Sequence, residues 1–330
     1  MKEARFYKKE EDIVRCKLCP HLCRIPAGST GLCRTRKNIG GALYSLVYGK
    51  AASIQKDPIE KKPLYHFRPG SYALSFGTVG CNMMCSNCQN WQTSQADPEE
   101  VTIPDFSPEE IVKSAVDSGC KNIAYTYNEP TVFYEYMLDT ARIARKKGLG
   151  NVLVSNGFIS QEPLIELCKY IDAANIDLKA FNDRFYRDVC GSRLNPVLES
   201  LQTLNDNGVW LETTNLLIPG LNDDLKEIGA MCSWLRENVG NVVLHFSRFF
   251  PQYRMQGTQP TQPETLVKAR ELAKRHLDFV YLGNIEINDS SSTACPACGE
   301  ITIKREGYRT KIEHGPGLCV CGEKIPGVWE

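Results

Sequence analysis

No apolar run in this 330-residue chain approaches the roughly 20 residues needed to cross a bilayer, which excludes a helical membrane span. A surplus of either charge is missing too. There are 39 basic and 39 acidic residues, for a formal net charge of zero. With no basic excess and no stripe interleaving basic and aromatic residues, nucleic acid is not expected as a partner. The stretch Met1 to Asp12 carries charge but no apolar core. The expectation is therefore a cytoplasmic protein without a secretory leader. Apolar content of 42% and charged content of 24% are ordinary for a globular protein. The length suits one large α/β domain with small appendages. Cysteine, by contrast, is abundant. A disulfide scaffold belongs to short secreted chains, and this chain is long. Eleven of its fifteen cysteines fall into three tight groups, the pattern of metal ligation in a reducing compartment. The other four, Cys120, Cys168, Cys190 and Cys232, stand alone in helix-like stretches and read as small buried hydrophobes.

From Tyr72 to about Asn288 strand and helix patterns alternate. Strands are expected at 73–77, 122–127, 151–155, 174–178, 210–218, 242–246 and near 279–281. Helices are expected at 107–118, 131–147, 162–170, 182–207 with a break at Gly191 and Pro196, 225–237 and 263–277. The second of these has Gly148 as its stop, and the first opens on Ser-Pro-Glu-Glu, a good helix start. This alternation implies βαβ units and a parallel sheet. Six or so units are too few for a closed eight-fold barrel, and the pattern alone leaves a doubly wound sheet open. In either fold the active site lies at the carboxyl ends of the strands, and those ends are polar or glycine-rich here: Gly77–Gly80, Asn128-Glu129, Ser155-Asn156, Asp177–Lys179, Thr214-Asn215, Ser247-Arg248 and Gly283-Asn284.

The first strand runs into Gly-Cys81-Asn-Met-Met-Cys85-Ser-Asn-Cys88, a C-x3-C-x2-C spacing. Iron–sulfur clusters take cysteine thiolates, usually four. Three close ligands with no fourth nearby leave one iron of a 4Fe–4S cluster open for chemistry. The alternatives are a zinc site and an ordinary ferredoxin-type cluster. This spacing resembles the radical S-adenosylmethionine (SAM) superfamily. The resemblance implies a partial (β/α)6 TIM-type barrel, a SAM-chelating iron, and cleavage of SAM to a 5′-deoxyadenosyl radical that abstracts hydrogen. It also implies an electron donor such as ferredoxin or flavodoxin.

Within that superfamily the chain looks most similar to glycyl-radical-enzyme activases, and the resemblance assigns further residues. Asn128, Glu129 and Pro130 stand where activases have the end of Gly-Gly-Glu-Pro, which holds the SAM ammonium; Tyr127 and Asn128 replace the two glycines. Ser155 and Asn156 stand where small polar side chains meet the ribose, with Val154 in place of an aspartate. Asp177 and Lys179 match Asp-Leu-Lys, where lysine suits the SAM carboxylate as a compact point charge; without the resemblance the pair reads as a solvated salt bridge. Thr214 stands where activases carry an arginine. Asn87 occupies the usual aromatic position before the third cysteine, so adenine would meet its amide or the face of Trp91. Arg248 is a candidate for the substrate carboxylate or the adenine side, while His245 reads as structural.

Two further groups flank the barrel. Cys16, Cys19, Cys23 and Cys33 fit structural zinc or a second iron–sulfur cluster for electron relay. Cys295, Cys298, Cys319 and Cys321 resemble a zinc ribbon or rubredoxin-like knuckle pair, with His314 a possible substitute ligand beside the unusual C-x-C. The segment between those pairs, 301–312, is strand-like. The expected organisation is a Cys-rich segment and lead-in over 1–71, the barrel over 72–288 and a metal module over 289–330. Together with Asp57-Pro-Ile-Glu-Lys-Lys-Pro-Leu-Tyr-His-Phe and the ending Ile-Pro-Gly-Val-Trp329, these groups resemble the radical SAM enzymes of the AmmeMemoRadiSam system. The substrate stays open between a glycine of a partner enzyme and another protein, peptide or small molecule. A metal-stabilised RNA- or protein-binding protein with an inert cluster is the alternative of a different class.

Overall fold

The computed structural model describes residues 1–330. At its centre is an eight-stranded sheet: β1 (Ser53–Pro58), β2 (Tyr72–Gly77), β3 (Asn122–Tyr125), β4 (Gly150–Ser155), β5 (Ala173–Asp177), β6 (Trp210–Leu217), β7 (Val243–Arg248) and β8 (Val280–Gly283). The strands lie side by side in chain order. β2 through β8 pair in parallel, with Ala73 opposite Asn122 and Val152 opposite Ala173, whereas β1 is antiparallel to β2. Six helices make the crossovers: α1 (Pro108–Asp117), α2 (Tyr134–Lys146), α3 (Gln161–Cys168), α4 (Asn195–Asp206), α5 (Leu225–Asn238) and α6 (Pro263–Ala273). The first and last strands do not pair, so the sheet is an open, partial (β/α)6-type barrel with a seventh parallel strand beside it.

Local chemistry accounts for most boundaries. Ser107 caps α1 by accepting from Glu110 N–H while the Glu110 carboxylate accepts from Ser107 N–H, a reciprocal capping box. Gly148 follows α2 at φ +73° and lets the chain turn away. The helix expected from Thr131 begins only at Tyr134. Glu129 caps a short 3-10 turn over Pro130–Phe133 by accepting from Thr131 N–H, and that tighter winding delays the α-helix. The segment 182–207 splits into a short helix, Asp183–Asp188, and α4, with Gly191 at φ +65° between them. The strand-like 301–312 is a hairpin, Ile301–Glu306 and Arg309–Ile312, turning at Gly307.

The flanking modules join opposite ends of the sheet. Residues 1–45 form two small three-stranded antiparallel sheets, and their Val14, Leu18 and Ile25 belong to the same contiguous core as Phe76, Phe133 and Phe246. That segment is part of the barrel's packing. The C-terminal module builds a separate cluster in which Cys295, Cys319 and Ile325 pack on Tyr65, Val243 and Phe279. Val243 opens β7 and Phe279 immediately precedes β8, so this module covers the amino end of the sheet, away from the cysteine loop that follows β2.

The Leu-Tyr-His-Phe run, 64–67, is the clasp. Tyr65 and His66 donate their N–H groups to the buried Glu212 carboxylate at 2.9 and 2.7 Å, and His245 Nε2 lies 2.6 Å from the same group. His66 Nδ1–H donates to the Pro326 carbonyl at 2.7 Å, and its Nε2 accepts from the Tyr281 hydroxyl at 2.6 Å. Burial lowers the pKa of His66 to about 4, against the opposing pull of Glu212. The folded state thus prefers the neutral ring, and the unfolded chain takes up a proton first as pH falls. Stability should be complete above about pH 6.5 and drop toward pH 4, by about 3 kcal/mol in all. Denaturant titrations between those pH values should show this fall, and His66→Gln should flatten it.

Candidate metal-cluster site

Cys81, Cys85 and Cys88 lie on the loop after β2, before the short helix Trp91–Ser94. Two glycines shape that loop. A β-carbon on Gly77 would collide with the Thr126 carbonyl, and Gly80 stands at φ +88° with the Cys33 carbonyl 2.7 Å from where its β-carbon would be. The far side of the loop is pinned by chain distant in sequence. Met84 and Ser86 donate their N–H groups to the carbonyls of Cys190 and Val189, each at 2.9 Å, and Arg254 N–H donates to Ser86. All three cysteines are half-buried residues.

Burial, then the Glu129 carboxylate and Cys85, push the Cys81 thiol well up. Burial also raises Cys88. Cys85 goes the other way, to about 7, because the Cys190 thiol hydrogen-bonds to it and Lys179 lies near. Holding thiolates here requires an electropositive group, which an iron–sulfur core is. Two buried acceptors nearby, Oδ1 of Asn87 and of Asn128, have no hydrogen-bond partner. An unmet buried acceptor costs ~1–3 kcal/mol, so these atoms await a donor. Three thiols plus orphaned acceptors fit a three-ligand cluster with a hydrogen-bond-donating ligand beside it.

The strand ends bring other candidates to the same neighbourhood. Asn156 Nδ2 lies 3.8 Å from Cys81 Sγ and donates to Asn82 Oδ1 at 2.9 Å. Lys179 Nζ pairs with Asp177 at 2.8 Å. Burial pulls the pKa of Lys179 down, but Asp177 and the Cys85 and Cys190 thiols more than offset this and hold it well above its usual range. Glu129 follows β3 at the same end of the sheet. It is fully buried, and its carboxylate accepts from Thr131 N–H, Thr131 Oγ1, Ser155 Oγ and Asn156 N–H at 2.7–2.9 Å. Oε1 takes three of these donors and Oε2 one, so Glu129 ties the end of β3 to the end of β4. Pro130 is buried in the 3-10 turn that follows.

Trp91 stacks on Tyr253 with ring centroids 5.1 Å apart, which covers one indole face. Arg248 donates Nε–H to the Thr261 carbonyl at 2.8 Å and lies over Phe250. His245 is buried against Glu212 in the clasp, a structural residue. Cys190, read from sequence as a small buried hydrophobe, is buried but also touches Cys85; no local pattern signals that contact across the intervening fold. Of the flanking groups, Cys295, Cys298, Cys319 and Cys321 bring all four sulfurs within 4.8 Å of one another, a set for one tetrahedral ion. His314 is no substitute ligand: its Nε2 lies 3.6 Å from Glu300 instead. Cys16, Cys19, Cys23 and Cys33 line one cavity beside the Cys81 loop.

The model of the Radical SAM superfamily matches residues 76–232. The uncharacterized protein MJ0808 of Methanocaldococcus jannaschii is 45% identical over 98% of this chain and 99% of its own length. This chain belongs to the radical SAM superfamily. Pyruvate formate-lyase 1-activating enzyme of Escherichia coli (strain K12) is 24% identical over 63% of this chain and 90% of that enzyme. A radical SAM methyltransferase from Sphaerobacter thermophilus shares the fold, with a TM-score of 0.53 at 16% identity over 71% of each chain.

For a radical SAM protein the departure at Tyr127 is informative. Its φ is +73°, a left-handed conformation that glycine adopts freely and other residues adopt at a cost of roughly 1–2 kcal/mol. Tyr127 is held there from outside. Its hydroxyl donates to Asp57 at 2.8 Å, Lys62 Nζ lies 4.7 Å from its ring centre, and Lys61 and Lys62 pair with the same Asp57. Burial opposes ionisation of Asp57, but its bonds to Lys62 and Lys61 win and hold it well below the usual carboxylate range. The Asp57-to-Lys62 run therefore braces the turn that precedes Glu129. Asp57→Asn should destabilise the fold by about 3–5 kcal/mol by stranding the buried Lys62 ammonium, and Tyr127→Phe by only about 1 kcal/mol. Urea unfolding of the two variants measures both.

Proposed function

We propose that this protein is a radical SAM enzyme of the activating-enzyme type that takes a hydrogen atom from a polypeptide. The three-thiol loop, with the orphaned Asn87 and Asn128 acceptors beside it, carries this reading. Cys81, Cys85 and Cys88 would hold a 4Fe–4S cluster and leave one iron for SAM. When bound, that pair of cofactors supplies reductive cleavage of SAM to methionine and a 5′-deoxyadenosyl radical, which abstracts hydrogen.

The chain's own residues do the rest by binding and orientation. Asn128 Oδ1 would accept from the SAM ammonium, and Lys179 would meet its carboxylate. Ser155 and Asn156, fixed by Glu129, would serve the ribose. Asn87 Oδ1 would accept from the adenine amino group, with Trp91 as the stacking face. Arg248, at the end of β7, would be the contact for a substrate carboxylate. The electron comes from a donor of the ferredoxin or flavodoxin class. In the C-terminal module zinc is the fitting ion, because a closed set of four thiolates serves structure. The likeness to pyruvate formate-lyase 1-activating enzyme supports a polypeptide substrate.

With reductant and SAM, the reconstituted protein should release methionine and 5′-deoxyadenosine, detected by chromatography. Cys85→Ala should abolish both products, and Lys179→Ala should raise the SAM KM by about tenfold or more through loss of a charge-assisted contact. In the presence of a uniformly deuterated polypeptide fraction the recovered 5′-deoxyadenosine should carry deuterium. Label arriving only from a small-molecule fraction would refute the polypeptide substrate.

A further inference from the structure

The three cysteine groups differ in a way that discriminates between metals. A Zn–S bond of ≈ 2.3 Å sets tetrahedral thiolate sulfurs about 3.8 Å apart. The C-terminal group matches, with Cys295–Cys321 and Cys298–Cys319 sulfur distances of 3.6 and 3.5 Å. Cys81, Cys85 and Cys88 do not converge in this manner, and neither do Cys16, Cys19, Cys23 and Cys33. The N-terminal four instead line a small, partly open cavity whose other walls include Leu18, Ile25 and Val132. Four thiols that share one cavity without converging on a single ion's position are a ligand set for a polynuclear group.

The wall chemistry points the same way. Arg36 lines the cavity and is buried, with Nη1 3.9 Å from Cys16 Sγ and Nη2 paired to Glu135. Its Nε–H is buried and has no acceptor. Thr35 Oγ1 lies 3.2 Å from Cys33 Sγ. A thiolate-ligated cluster is anionic, with sulfides that accept hydrogen bonds, and it would meet the unpaired guanidinium donor. The cavity also adjoins the first cluster loop. Asn82, the neighbour of Cys81, lines it, and Gly80 abuts the Cys33 carbonyl.

We propose that Cys16, Cys19, Cys23 and Cys33 hold a second 4Fe–4S cluster, through which an electron enters. The identity of the cluster rests on this geometry, whereas its use rests on the radical SAM reading. One electron leaves a ferredoxin- or flavodoxin-class donor, which is oxidised by one unit, reduces the second cluster, and passes on to the Cys81-loop cluster.

The test reconstitutes the full chain anaerobically with ferrous iron, sulfide and two equivalents of zinc, then counts iron, acid-labile sulfide and zinc. The wild type should hold about eight irons and about eight sulfides, and the Cys81→Ala/Cys85→Ala/Cys88→Ala variant about four of each. About four irons with two zincs in the wild type, or no sulfide in the triple variant, would overturn the cluster. Cys19→Ala/Cys23→Ala should keep SAM cleavage when dithionite is the reductant, which shows that it folds, and lose at least tenfold in rate with a flavodoxin as donor. Equal rates with both reductants would overturn the electron-entry role. A wild type that holds eight irons yet never cleaves SAM would refute the radical SAM reading and the entry role while the cluster stands.

Discussion

Three desolvated thiols on one loop at the carboxyl end of a parallel sheet are the constraint around which this molecule is arranged. Burial and a neighbouring carboxylate make a thiolate at Cys81 unfavourable unless a cationic centre sits among the three sulfurs. The surrounding residues make that loop rigid. Gly77 and Gly80 let the backbone pass close to Thr126 and Cys33, and the carbonyls of Val189 and Cys190 hold the outer turn. Glu129 fixes the ends of β3 and β4 against each other with four hydrogen bonds, so that the neighbouring Asn128 and Asn156 side chains are set in place. Preorganisation of this kind reduces what a bound cofactor must order.

The two ends of the sheet serve different purposes. At the amino end, the Glu212–His66–Tyr281 network and the C-terminal cysteine module close the molecule, and the four sulfurs of that module converge as for a single structural ion. At the carboxyl end, the N-terminal segment shares the main core and meets the cluster loop directly. Two groups with the same number of cysteines are thus spaced differently by the fold: the C-terminal sulfurs converge and the N-terminal ones do not.

The sequence was most readable where chemistry is local. The C-x3-C-x2-C spacing, the polar strand ends and the Ser107 capping box each lie within a few residues, and each has the expected setting. Other features depend on contacts that no local pattern carries. The edge strand 53–58 contains Lys56, Asp57 and Pro58, which suit an unpaired edge and otherwise read as a turn. Tyr127 looks like a damaged glycine motif until Asp57 is found bonded to it. Glu129 looks like a free acceptor until its four donors are located. Cys190 is ordinary in its helix-to-turn setting and is brought to Cys85 only by the barrel. The small strands of residues 1–45 are short and ligand-bearing, so their periodicity is too brief to register.

The central claim is that the Cys81 loop carries an open iron that binds SAM. Electron paramagnetic resonance of the anaerobically reconstituted, dithionite-reduced protein, recorded with and without SAM, addresses it most directly. A reduced-cluster signal that SAM shifts, and that is missing from Cys85→Ala at the same field position, is the predicted result. A cluster signal indifferent to SAM would contradict it, and the asparagine acceptors and Lys179 would then need another ligand.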